Sequence, residues 1–176
     1  MTTRRTRTEI IEAVAGAALD LFVERSPSAV SLREIAARAD VNLGLIHRYV
    51  GSKDDVVALV LSRHTERARA AVASIHDDDE MLGVIADSVV RDPSTGRLIA
   101  GLLLDAADVT EIKGDFPLLD RLADEGGGLD AALTYALALG WEVFGPSLLA
   151  AVDAEPGDDA TVEALHAAMR TIADVD

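Results

Sequence analysis

The stretch "SLREIAARADVNLGLIHRYVGSK", Ser31 to Lys53, decides the fold. Ser31 with Glu34 three residues later is a capping box, and Leu32, Ile35, Ala36 and Ala39 share one helical face, so the segment opens with a helix of about two turns. "DVN" breaks it, Asn42 can cap a second helix, and "LGLIHRYV" supplies barely two further turns, on the order of seven residues, before Gly51. Two short helices about a tight turn are the parts of a helix-turn-helix DNA reader. Ile35, Ala36 and Ala39 would meet Val41 and Ile46 in one apolar seam, and the small Ala side chains allow a close crossing. With Ile46 inward, Leu43, Leu45, Arg48 and Tyr49 project outward.

Working outward, Thr6 and Glu9 form another capping box. Ile10, Val14, Ala17 and Leu21, with Ile11, Ala18 and Phe22, recur at helical spacing up to "RSPSAV", where Pro27 and its flanking serines make a turn. On the other side, Ser52 to Asp55 is a third box, opening a long helix through Val56, Leu59 and Val60 toward Ile75. Asp77 to Glu80 read as a break and the cap of another helix. "MLGVIADSVVRD", "STGRLIAGLLLDAADVTEI", "FPLLDRLAD", the segment Ala131 to Val152 and "DDATVEALHAAMRTIAD" come after it, punctuated at Asp92-Pro93, Gly114, Gly126 to Gly128 and Pro156-Gly157. No strand-type alternation persists, so the fold class is all-α. An N-terminal three-helix helix-turn-helix module over residues 1–52 is expected to precede a helical domain over residues 53–176.

The charge divides along similar lines. Residues 1 to 69 hold 11 Lys and Arg against 9 Asp and Glu, and the remaining 5 basic and 22 acidic residues make the rest of the chain strongly anionic. A basic module on an acidic body suits a protein that meets nucleic acid with one end only. Hydrophobic residues are 49% of the chain and aromatics 3%, so the interior is mainly aliphatic. There is no Cys, which excludes a disulfide scaffold and cysteine-ligated metal and fits a reducing cytoplasm. "MTTRRTRTEI" is basic without an apolar export stretch behind it. Ala131 to Val152 has the length of a membrane span, but Glu142 lies in its middle without flanking basic anchors. A helix covered by other helices or by a second subunit is the expectation, and no membrane partner. His64, His76 and His166 lack metal-ligand spacing, and no nucleophile, base and orienter stand together, so neither enzyme, metal nor cofactor is expected.

The outward residues have definite uses on DNA. Arg48 can pair bidentately with guanine or grip phosphate, Leu43 and Leu45 can touch thymine methyls, and Gly44 lets the backbone approach. His47 and Tyr49 offer donors to phosphate, and Asn42 stands at the cap of the reading helix. Ser31 and Arg33 at one helix start and Lys53 at another sit where amides already favour an anion. The arm, with Arg4, Arg5 and Arg7, can enter an adjacent minor groove.

From about Glu9 to Leu61 the chain resembles the TetR-type transcriptional regulators. The resemblance rests on "ALDLFVERSPSAVSLREIAARADVN" and on Gly44, Ile46, Tyr49, Ser52 and Lys53 of the segment after it. Asn42, His47 and Val50 depart from the family's usual Ser, Tyr and Phe, and His47 matters most, because the family's Tyr at that place usually binds phosphate. "LALGWEVFGPSLLAA" is similar to the C-terminal helices of many such regulators. The resemblance implies a cytoplasmic homodimer that binds a palindromic double-stranded DNA operator, usually to repress, and is released by a small apolar or amphipathic effector. It implies dimerisation within Ala131 to Ile172, for which Trp141, Phe144, Leu148, Leu165 and Met169 are candidates. It implies an effector pocket among the preceding helices, for which Leu98, Leu102, Leu103, Phe116, Leu119, Leu122 and Tyr135 are candidates, although aliphatic residues at helical spacing serve equally as core. Two other readings stay open: an adaptor whose helix-turn-helix no longer binds DNA, and a helical enzyme.

Overall fold

The computed structural model describes residues 5–92, 94–105, 116–155 and 157–173. Among these the chain is helical, without a strand: α1 (Arg7–Glu24), α2 (Leu32–Arg38), α3 (Leu43–Tyr49), α4 (Lys53–Ser74), α5 (Asp78–Arg91), α6 (Ser94–Asp105), α7 (Pro117–Gly126), α8 (Gly128–Ala151) and α9 (Asp158–Ala173), with one 3₁₀ turn at Pro27–Ala29. The expected starts of α1, α2, α3 and α4 are made by the residues that announce them. Thr6 and Glu9, Ser31 and Glu34, and Ser52 and Asp55 close reciprocal boxes, and Asn42 Oδ1 accepts from Gly44 N at 2.8 Å. Asp77 accepts from Glu80 N at 3.3 Å and so starts α5, which assigns that acidic run to a helix start.

Two compact units divide the chain. One runs to His64 and also takes in the end of α6 from Gly101; the other comprises residues 65–100 and, among the described residues, the chain from Phe116 onward. The boundary cuts through α4 and α6, because a continuous helix can donate different turns to different cores.

In the first unit α1, α2 and α3 pack on one another. Ile10, Val14, Ala18, Leu21 and Phe22 of α1, Ile35, Ala36 and Ala39 after it, Ile46 of α3, and Val56 and Val60 of α4 are buried. This is the seam expected between α2 and α3, with Val41 only half-buried. The turn between them needs no glycine: Asp40 takes the left-handed backbone (φ 51°), while Asp40 N donates to Ala37 O and Val41 N to Ala36 O. That pair of bonds satisfies the last carbonyls of α2 and fixes the angle at which α3 leaves. At the far end of α3, Gly51 sits at φ 128°, and a Cβ there would lie 2.3 Å from Asp55 Oδ2, so only glycine joins this helix to the α4 cap.

In the second unit α5 packs on α9, α7 on α8, and α8 on both α5 and α9. Met81, Leu82, Ile85, Ala86 and Val89 of α5 meet Leu122 of α7, Ala131 and Ala138 of α8, and Leu165 and Met169 of α9. By length and composition α8 qualifies to cross a membrane. Its midpoint carboxyl, Glu142, is instead buried, and three helices lie against it. Leu129, Leu133, Phe144, Leu148 and Val152 remain exposed along it.

Candidate nucleic-acid interface

The helix-turn-helix presents α3 as the sequence implied. Ile46 is fully buried, Gly44, His47 and Arg48 are exposed, and Leu43, Leu45 and Tyr49 are half-buried, their outer edges available to a groove. The Arg48 guanidinium lies 5.3 Å from the centroid of the Tyr49 ring, a cation–π contact that restrains a long flexible side chain before any DNA arrives.

Most of the unit's other cations are already engaged. Arg25 meets Glu34 at 2.8 Å, Arg38 meets Glu24 at 3.0 Å, and Arg63 donates to Glu12 at 2.7 Å. Lys53 Nζ donates to Ser28 O at 3.0 Å, tying the start of α4 to the 3₁₀ turn. Ser31 is held in its box, where its N–H and Oγ each donate to Glu34 Oε2 at 2.8 Å. Those donors, with Arg25 behind them, hold the Glu34 carboxyl down to about 2. By contrast Arg33 and Arg48 have no carboxylate partner among the described residues. Exposed positive charge is thus left at Arg7, Arg33 and Arg48, while Arg25, Arg38 and Arg63 are neutralised locally.

Arg5, whose sequence position suggested a minor-groove role, has partners within the motif. Its Nη1 donates to Ala39 O at 2.8 Å and to Asp40 O at 2.9 Å, and Nη2 lies 3.6 Å from the Asp40 carboxylate. The arm thus clamps the turn of the motif, satisfying carbonyls at the end of α2. Nothing in the spacing of Arg5 and Asp40 signals this, because they are 35 residues apart and meet only after α1 packs on α2. Arg4 lies outside the described residues.

The other candidates separate. Leu98 is buried and Leu102 half-buried, the latter on the part of α6 that belongs to the first unit. The Leu103 side chain lies outside the described residues. Leu122 is core and Leu119 packs against that core. Phe116 and Tyr135 stand edge to face, centroids 5.9 Å apart at 74°. Of the candidate dimer residues, Phe144 and Leu148 are exposed and Trp141 half-buried against the core. Leu165 and Met169, however, are only 4% and 0% exposed and face α5 within their own chain. The apolar periodicity of α9 that suggested an intermolecular face is used up inside the subunit.

One residue emerges that the sequence marked only as an obstacle to a membrane. Glu142 is 7% exposed, and its Oε2 has no hydrogen-bond partner among the described residues. Burial, with Asp92 adding repulsion against the attraction of Arg97, pushes it up to about 8.

Residues 16–60 match the family of bacterial regulatory proteins called the tetR family. Two mycobacterial proteins are similar over nearly the whole chain: HTH-type transcriptional repressor Rv3405c of Mycobacterium tuberculosis and HTH-type transcriptional regulator Mb3439c of Mycobacterium bovis. Each is 35% identical, over 94% of this chain and 90% of its own length. The crystal structure of a candidate transcriptional regulator, SCO4942 of Streptomyces coelicolor, shares the fold, with a TM-score of 0.69 at 22% identity over 92% of this chain and 96% of that one. A helix-turn-helix with an open reading helix, matched in its own segment and carried by relatives across both units, identifies the chain: it belongs to the tetR family of bacterial regulatory proteins, the DNA-binding transcriptional regulators.

Proposed function

We propose that this regulator is a homodimeric repressor whose paired α3 helices read the two halves of a palindromic operator, and that a small effector binding among the helices of the second unit releases it. The observation that supports the DNA-reading part is the exposed pair Arg33 and Arg48, without a carboxylate partner among the described residues, on a helix-turn-helix that neutralises Arg25 and Arg38 internally. Residues 43–49 supply base contacts, with Arg48 set for guanine and Leu43 and Leu45 for thymine methyls. Arg33, His47 and Tyr49 meet phosphate, and Ser31, Asn42 and Lys53 hold the helix starts that aim them.

Dimerisation is supported by α8. Phe144, Leu148 and Val152 recur every fourth residue at 60%, 60% and 71% exposure, an apolar stripe that a second copy of itself would cover about a two-fold axis. Two readers in successive major grooves then fall about 34 to 36 Å apart. A regulator of this kind acts in the cytoplasm, beside the chromosome.

The test is selection of bound fragments from genomic DNA by the full-length protein, followed by sedimentation of the complex. A recovered inverted repeat occupied by two chains is expected. Failure to enrich any sequence at low salt overturns the reading, since backbone attraction is strongest there.

A further inference from the structure

Arg33 and Arg48 are both exposed and both without a carboxylate partner among the described residues, yet they are held differently. The Arg48 guanidinium lies over the Tyr49 ring, 5.3 Å from its centroid, whereas Arg33 on α2 has no ring contact among the described residues. Neighbours in sequence stand about 100° apart around a helix and do not ordinarily face each other. The contact is therefore not given by spacing: Arg48 must turn along the end of α3 to lie over the ring of its last residue. Tyr49 is itself half-buried, so its ring is less free to turn than that of an exposed side chain and offers a platform on an otherwise open face.

We propose that Tyr49 is the positioning residue that sets base preference on α3: its ring holds the Arg48 guanidinium ready for a guanine edge, while Arg33, without such a platform, serves phosphate. This rests on the reading of α3 as the DNA-reading helix, and assigns the source of its specificity. The physical reason lies in what the two targets demand. A phosphate has acceptor oxygens on several sides and is satisfied by a flexible cation, whereas guanine O6 and N7 accept a bidentate pair only from a guanidinium held near their plane. A guanidinium covered on one face by a ring keeps its N–H edge free for that pair. Ordering a long side chain costs entropy, so an arginine restrained beforehand gains the guanine pair at less cost. It is also less free to swing to a phosphate when the base is wrong. Both effects widen the gap between the right base and the others.

The two parts of Tyr49 then have separable effects. Its hydroxyl, as a donor to phosphate, contributes alike to every sequence, while its ring acts only where Arg48 meets a base. Removing the hydroxyl lowers affinity evenly; removing the ring flattens the preference at one base pair.

The experiment uses the full-length protein and the operator recovered by selection, with each base pair of one half-site exchanged in turn and binding titrated by fluorescence anisotropy. Arg48→Ala first locates the position at which a preference for guanine is lost. Tyr49→Leu is expected to reduce the preference at that same position by about three- to thirtyfold, the span of a cation–π contact from exposed to desolvated. Combined with Arg48→Ala it is expected to add nothing there. Tyr49→Phe, which keeps the ring, is expected to retain the preference while losing affinity by a similar factor for every sequence in the panel. In the free protein, the Arg48 δ-methylene protons are expected to be shifted upfield by the ring in the wild type and in Tyr49→Phe, but not in Tyr49→Leu, a nuclear magnetic resonance signal that requires no DNA. Full preference in Tyr49→Leu, loss of preference in Tyr49→Phe, an Arg48→Ala loss spread evenly over the panel, or no ring shift in the wild type overturns the proposal. If no sequence is enriched at all, the regulator reading fails and this proposal with it. If an operator is bound and its guanine preference persists without the ring, the regulator reading stands and only this proposal falls.

Discussion

Arg48 sits on the exposed side of α3, stacked on Tyr49 and without a carboxylate partner among the described residues, so its charge is available to a base edge or a phosphate. Arg48→Ala is expected to cost about 1 to 3 kcal/mol of specific operator binding and to relax one operator position. A panel of operators mutated one base pair at a time, titrated by fluorescence anisotropy, reads both effects. A uniform loss over the panel would reassign Arg48 to phosphate. Glu142 is a residue of the opposite kind, held against its own charge. Its ordinary value of 4.5 is raised to about 8 in the fold, so the folded chain keeps a proton that the unfolded chain has released. Stability is therefore eroded as pH rises from about 4.5 to about 8 and is level above that, since linkage follows the difference in bound protons. Glu142→Gln is expected to melt near the wild-type temperature at pH 5 and above it at pH 8.5. Identical melting curves at both values would mean that the carboxyl is not desolvated.

At the scale of the element, α2 is short and depends on its ends. Seven residues give few internal hydrogen bonds, so the Ser31–Glu34 box at one end and the turn clamped by Arg5 at the other hold it in place. Ser31→Ala removes the side-chain acceptor for Glu34 N and is expected to destabilise the protein by about 1 kcal/mol in urea denaturation. The folded Glu34 carboxyl titrates at about 2 instead of 4.5, because Ser31 and Arg25 donate to it. Its contribution is thus complete above about 4.5 and is lost as pH falls toward 2. In Ser31→Ala that acid-side loss of stability should shrink, a difference visible in melts recorded between pH 5 and pH 2.5. The same logic explains why α3 was legible from a few letters. Asn42 at its start and Gly51 beyond its end are conditions on the local backbone, and local conditions are written in local sequence.

For the whole molecule, α8 and α9 carry apolar residues of two kinds that sequence alone ranked together. Leu148 is 60% exposed, whereas Met169 is fully buried between helices of its own chain. Leu148→Asp is expected to leave the monomer folded while shifting sedimentation from dimer to monomer and abolishing operator binding at nanomolar concentration. Met169→Ala is expected to cost about 2 to 5 kcal/mol of folding stability, with little direct effect on association once folded. A Leu148→Asp protein that still sediments as a dimer would place the interface elsewhere.

The sequence by itself determined the helices, their caps, the helix-turn-helix and the outward face of α3. Each depends on residues within about one or two turns of one another, where spacing and backbone geometry leave little choice. Only the tertiary structure decided what requires distant residues to meet: that Arg5 bonds to the α2–α3 turn, that Arg25, Arg38 and Arg63 are neutralised, and that Leu165 and Met169 are core. It also turned Glu142 from the one charge in an apolar run into a buried carboxyl. Periodicity says that a residue lies on a face, but not what that face meets, because burial and the field around a charge are summed over every helix packed against it.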